Sequence, residues 1–282
     1  MRPAVAALLL AFLSVSASCA NSARLPAKAI ELNRSGAAAM ADGDLEKAEA
    51  RIALALEYSP RFTEAWVNLG LIEMNRGNFE RARRDFVKAR DLNPDLPAPH
   101  QALGLLADHQ GQIAAAERFY RAALKVDPGF APARINLARR LFEESALEEA
   151  REQFLRATQI APEVVEAWTG LCETLLRLQR IDEAEDVLGQ ARARFGANAS
   201  VALLEARMLL RRGAFVEAEE RLVALVRSID PQRVSAALAW LAVARIGEGD
   251  LAGAIESARR AVSLDPDDSV ARYALRTAGS TR

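Results

Sequence analysis

Alanine stands at positions 48, 82, 116, 150, 184, 218 and 254, each step being 34 residues except the last, which is 36. A period of that length belongs to a supersecondary unit stacked on copies of itself. The unit is clearest from Thr63 to Leu96. There Trp66, Leu69 and Met74, with Leu71 and Ile72 between them, recur at helical rather than alternating spacing, which predicts a helix over 63–76. Gly77-Asn78 breaks it. A second helix from Phe79 to Leu92 stacks Ala82, Phe86 and Ala89 on one side, and Pro94 forbids its continuation. The small residues Gly70 and Ala82 let the two helices approach closely while Trp66 and Phe86 fill the space beside them. A hairpin of this kind cannot bury its apolar face alone, so it needs neighbours.

The chain supplies them in phase. The place of Gly70 is taken by Gly36, Gly104, Ala138, Cys172, Ala206 and Ala242, and that of Ala89 by Ala55, Ala123, Ala157, Ala191, Leu225 and Ala261. The break at Pro94 recurs as Pro60, Pro128, Pro162 and Pro266, with Gly196 serving once and Asp230-Pro231 shifted by one. These residues resemble the tetratricopeptide repeat, over roughly nine-tenths of the chain. The resemblance implies an all-α fold, a right-handed α-solenoid of seven helix-turn-helix repeats at 29–62, 63–96, 97–130, 131–164, 165–198, 199–232 and 235–268. A C-terminal capping helix and tail at 269–282 would cover the last repeat, with residues 279–282 frayed. Glu73, Glu205 and Arg245 depart from the family's apolar pattern, and two extra residues precede Ser235.

Residues 1–20 differ in kind. Arg2, an apolar run from Ala4 to Leu13 and the small residues before Cys19 read as a secretory signal, too short to span a membrane. It resembles a bacterial lipoprotein signal, in which Cys19 would be acylated and anchor the protein; cleavage after Ala20 is the other reading. Ala20 rather than Asp after that cysteine implies an outer-membrane lipoprotein facing the periplasm, the alternative being a soluble periplasmic protein. Residues 21–28 form a polar tether. Cys172 falls on a small buried position and is expected to be inert, which leaves no internal disulfide.

The composition is 51% apolar and 6% aromatic, that of a helical protein, and a net charge of −1 with basic and acidic residues interleaved argues against nucleic acid. His100 and His109 are nine residues apart, off one helical face, with no metal-ligand spacing beside them. No glycine loop for phosphate and no activated nucleophile is present. The expectation is a protein that is not an enzyme, with no cofactor, metal or small-molecule substrate.

What a solenoid offers is a concave surface lined by the first helix of each repeat. The resemblance places Val67, Leu71, Met74, Gln101, Leu105, Asp108, Ile135, Arg139, Phe142, Glu173, Leu176, Arg177, Arg207 and Arg211 in that peptide-binding groove. Leu71, Met74, Leu105, Ile135 and Phe142 are expected to leave an open apolar strip, which marks a partner site unless they pack between neighbouring first helices. The arginines favour acidic residues at one end of an amphipathic helix or apolar strand. The carboxylate clamp of some family members is absent, since Val67 and Leu71 or Gln101 and Leu105 hold its positions. The whole design resembles lipoproteins that pilot type IV pilus secretins or serve gliding-motility machinery. It implies a lipid-anchored assembly factor, or else a soluble periplasmic peptide-binding module or cell-wall-machinery adaptor.

Overall fold

The computed structural model describes residues 25–230 and 234–280, and among these every regular element is a helix. They run α1 (Ala27–Ala41), α2 (Leu45–Tyr58), α3 (Thr63–Asn75), α4 (Phe79–Leu92), α5 (Pro97–His109), α6 (Ile113–Val126), α7 (Ala131–Glu143), α8 (Leu147–Ile160), α9 (Val165–Arg177), α10 (Ile181–Phe195), α11 (Ala199–Arg211), α12 (Phe215–Ser228), α13 (Ser235–Glu248), α14 (Leu251–Leu264) and α15 (Ser269–Ser280). Two compact units divide them. The first, ending at Ile160, holds α1–α8; the second, from Ala161, holds α9–α15. Both are stacks of helix-turn-helix repeats of the α-solenoid type. The lipidation candidate Cys19 and the signal segment lie outside the described residues.

Each hairpin turns at the fifteenth residue of its repeat, in the left-handed region. Glycine supplies five of these residues, Gly43, Gly77, Gly111, Gly213 and Gly249, whereas Ser145 (φ 64°) and Gln179 (φ 61°) adopt the same conformation with a Cβ in place. Around Gly77 the amide of Asn78 donates to the Glu73 carbonyl at 2.8 Å and that of Gly77 to Met74 at 3.1 Å, which satisfies two of the carbonyls left over at the end of α3.

The two helices of a hairpin meet through a volume match. An added Cβ at Gly36, Gly70 or Gly104 would run into Ile52, Phe86 or Tyr120, so the small residue makes room for a large one. In the second unit the small position carries a side chain and its counterpart is smaller, Cys172 with Leu188, Ala206 with Leu222 and Ala242 with Ala258, whereas in the first unit Ala138 faces the large Phe154, all of them buried. Phe86 and Tyr120 are fully enclosed.

A second recurring contact closes the turn between repeats. The indole of Trp66 donates to the Pro60 carbonyl at 2.9 Å, His100 Nε2 lies 3.3 Å from the Pro94 carbonyl, Arg134 donates to Pro128 at 2.5 Å, and Trp168 donates to Pro162 at 3.0 Å. Each donor follows its proline by six residues and sits at the fourth position of the next first helix. The corresponding residues Ala202 and Leu238 cannot make this bond.

The departures from the apolar pattern are paired charges. Glu73, 4% exposed, accepts from Asn78 Nδ2 at 2.8 Å and lies near Arg76 and Arg81; Glu205 pairs with Arg192 and Arg221, and Arg245 with Glu219 and the Ser257 hydroxyl. The chain ends on α15, capped by Asp268, whose carboxylate accepts from the amides of Val270 and Ala271 at 2.9 and 3.0 Å. Its buried Ala271, Ala274 and Ala278 face α13 and α14. α15 continues through Ser280, the last of the described residues.

Candidate functional site

Within each unit the first helices also pack on one another: α1 on α3, α3 on α5 and α5 on α7 in the first, and α9 on α11, α11 on α13 and α13 on α15 in the second. That lateral packing decides which groove positions stay open.

In the first unit it consumes most of them. Val67, Leu71 and Met74 are buried in one apolar cluster with Ile72 and Phe86, and Ile135 and Gln101 are buried too. The open apolar strip expected through Leu71, Met74 and Ile135 is therefore corrected: Leu71 is only 7% exposed. Leu105 and Phe142 stay partly open at the margins of apolar clusters. Asp108 accepts from the Tyr120 hydroxyl at 2.7 Å and lies 3.2 Å from Arg140 Nε, so it ties α5 to α6 and α7 instead of facing outwards alone. Burial first, then the Asp108 charge, pushes the Tyr120 phenol well above its ordinary pKa, so it stays a donor to that carboxylate. Arg139 donates to Asn136 Oδ1 at 2.9 Å. Asn68 Nδ2 donates to Asn33 Oδ1 at 2.8 Å, a side-chain amide pair bridging α1 and α3 that the sequence did not single out.

In the second unit the same helical face is polar and open. Leu176 is buried, but Arg177 and Arg211 are exposed and Leu210 is half-buried. Glu173 accepts from Arg207 Nη1, and the Arg207 guanidinium lies over the Trp240 ring, 4.9 Å from its centroid. Arg211 donates to Gln179 Oε1 at 3.2 Å. Leu176, Arg177, Arg207, Leu210, Arg211 and Trp240 surround a depression of about 300 Å³. Trp240 was missed because it stands at the sixth position of its repeat, one residue beyond the place that Val67, Gln101 and Ile135 hold in theirs. Its size at a place taken by Gly170 and Leu204 in α9 and α11 was the available signal.

The remaining candidates are engaged. His109 packs against Phe79 with ring centroids 4.7 Å apart. Burial pushes the Cys172 thiol up to about 12, and its Sγ lies 3.6 Å from the Ala184 carbonyl, so it stays protonated and unreactive. Among the described residues no cluster of His, Cys, Asp and Glu could hold a metal ion, and no helix is long and apolar enough to cross a membrane.

Family models for the tetratricopeptide repeat match residues 63–96, 141–208 and 235–268. The chain is a tetratricopeptide-repeat protein. A further model, described as the N-terminal tetratricopeptide repeats of the surface lipoprotein assembly modifier, matches residues 92–154. No curated protein matches the chain. Among solved structures, a tetratricopeptide-repeat protein from Parabacteroides merdae superposes with a TM-score of 0.65 at 16% identity, over 90% of this chain and 100% of that one. PilF of Pseudomonas aeruginosa follows it with 0.64 at 22% identity, over 78% and 97%. The Cut9–Hcn1 hetero-tetramer of the APC/C gives 0.59 at 16%, over 90% of this chain and 44% of that one. At these identities the likeness is one of fold. Tetratricopeptide repeats make this chain a protein–protein interaction scaffold.

Proposed function

We propose that this scaffold is an assembly factor of the bacterial envelope, anchored by acylation of Cys19, which captures an amphipathic or apolar segment of a membrane complex such as type IV pilus or motility machinery. The observation that carries the scaffold reading is the open first-helix face of the second unit. Arg177 and Arg211 are exposed there, and Arg207, Leu210 and Trp240 stay partly accessible, the last two at the margin of the unit's apolar core. Support for the envelope comes from the apolar segment ending at Cys19. The match of residues 92–154 to repeats of a lipoprotein assembly modifier points the same way. Several acyl chains on one cysteine would hold the protein at a membrane where a single chain would not.

Fractionation of cells producing the wild type and Cys19→Ala, followed by photo-cross-linking through a probe at position 210 in detergent-solubilised envelopes, tests this. Membrane association lost on Cys19→Ala, with a membrane protein cross-linked at 210, is the expected result. A wild type found wholly in the soluble periplasmic fraction overturns the anchored reading in favour of a soluble peptide-binding module. Recovery of no protein partner from either preparation overturns the scaffold role of this face.

A further inference from the structure

The depression on the second unit has a chemistry that narrows its occupant. Three of its six lining residues are arginines and none is acidic. Leu176 forms an apolar floor, and Leu210 and Trp240 form partly exposed walls. A volume of about 300 Å³ lies at the small end of ligand pockets, with room for one or two side chains.

The cationic groups are held in place before anything binds. Arg207 is held twice, by Glu173 at Nη1 and by the Trp240 ring beneath its guanidinium. A guanidinium has five N–H donors, so one bond to Glu173 leaves this group able to donate elsewhere. Holding it between a carboxylate and an indole reduces the entropy lost on binding an acceptor. Arg211 donates to the neutral amide of Gln179, which leaves its charge available to a ligand. An apolar hollow with fixed guanidinium groups around it matches an apolar side chain flanked by carboxylates. A nucleic-acid backbone is a poorer match, because it needs a longer positive track than three arginines on a chain of net charge −1.

We propose that the face formed by α9, α11 and α13 docks an acidic, apolar peptide segment of a partner protein. One apolar side chain enters between Leu176, Leu210 and Trp240, and flanking Asp or Glu carboxylates engage Arg207 and Arg211. This specifies the occupant of the scaffold face and rests on that reading.

The test is selection of a phage-displayed library of 12-residue peptides on the full-length protein in detergent, then titration of the most enriched peptide, its Gln and Asn isostere, and vesicles containing phosphatidylglycerol. Enrichment of Asp or Glu around Leu, Phe or Trp is expected, with at least tenfold weaker binding of the isostere. Arg211→Glu, at an exposed position, and Leu210→Gln, at a half-buried one, should each weaken binding at least tenfold, the first with the melting temperature unchanged. Added salt should weaken the wild type more than Arg211→Glu. Selected peptides without acidic residues, equal binding of the isostere, or an unaffected Arg211→Glu overturns the proposal. Arginine-dependent vesicle binding without acidic enrichment overturns it in favour of a membrane surface. If the peptides fail while cross-linking at position 210 still recovers a membrane protein, the occupant chemistry is wrong and the scaffold reading stands. Acidic peptides that bind with no envelope partner recovered uphold the chemistry and sink the envelope assignment.

Discussion

The two units use one helical face in opposite ways. In the first, Val67, Leu71, Met74 and Ile135 place apolar groups where a groove would be, and adjoining first helices bury them. In the second, the corresponding face carries Arg207, Leu210, Arg211 and Trp240 and stays accessible. The same backbone register thus serves cohesion in one half and leaves a partly open surface in the other. An apolar residue at a groove position is therefore weak evidence of a binding site, because its neighbouring repeat is the nearest apolar surface available to it.

The largest expected effect separates the halves directly. Leu71→Arg puts a charge without a partner among buried groups and should cost about 3 kcal/mol or more, whereas Leu210→Arg, at the half-buried margin of the core, should cost about 1 kcal/mol or less. Equal urea midpoints for the two variants would erase the distinction. Next is the volume match. Gly70→Ala drives a Cβ to 2.5 Å from Phe86 Cε1 and should cost about 1–3 kcal/mol. Adding Phe86→Leu, which copies the Ala206 and Leu222 pair of the second unit, should recover part of it. A double-mutant cycle with no coupling would show that the pairs are independent.

The turns give a smaller effect. Gln179→Gly relieves a side chain held at φ 61° and should stabilise by about 0.5–1 kcal/mol. A lower thermal midpoint would show that the Gln179 side chain contributes more than its strain costs.

The smallest is a pH effect confined to the first unit. Asp85 is raised to about 6 by burial and then by the Glu73 charge, while the equivalent residues of the second unit are Val187, Arg221 and Ser257. Since the folded state holds this proton more tightly, the stabilisation is fully present below about pH 4 and is lost as pH rises through 6. Asp85→Asn should flatten stability between pH 4 and 7, by on the order of 1 kcal/mol after solvent screening of a half-buried group. A variant with unchanged pH dependence assigns the effect elsewhere.

Spacing made the repeats readable, because packing at Ala82 and its equivalents admits almost nothing larger, and proline or glycine leaves an unambiguous mark at a turn. The face was read less well. Position within one helix says which side a residue faces but not whether another helix covers it, and that is why Leu71 and Met74 were placed in the open. Asp108 was hidden for a related reason: its partners Tyr120 and Arg140 belong to other helices. The bonds to the proline carbonyls were unread because Trp, His and Arg share no chemical class beyond a nitrogen within reach.

Those bonds have a kinetic consequence. Through the fourth turn between repeats, a side chain fastens each proline carbonyl to the following helix; beyond Trp168 no such fastening is available from Ala202 or Leu238. The last repeats can therefore separate without first breaking that contact. Amide hydrogens of α11–α14 should exchange with solvent sooner than those of α3–α6, so that the half bearing the accessible face is also the half that opens first.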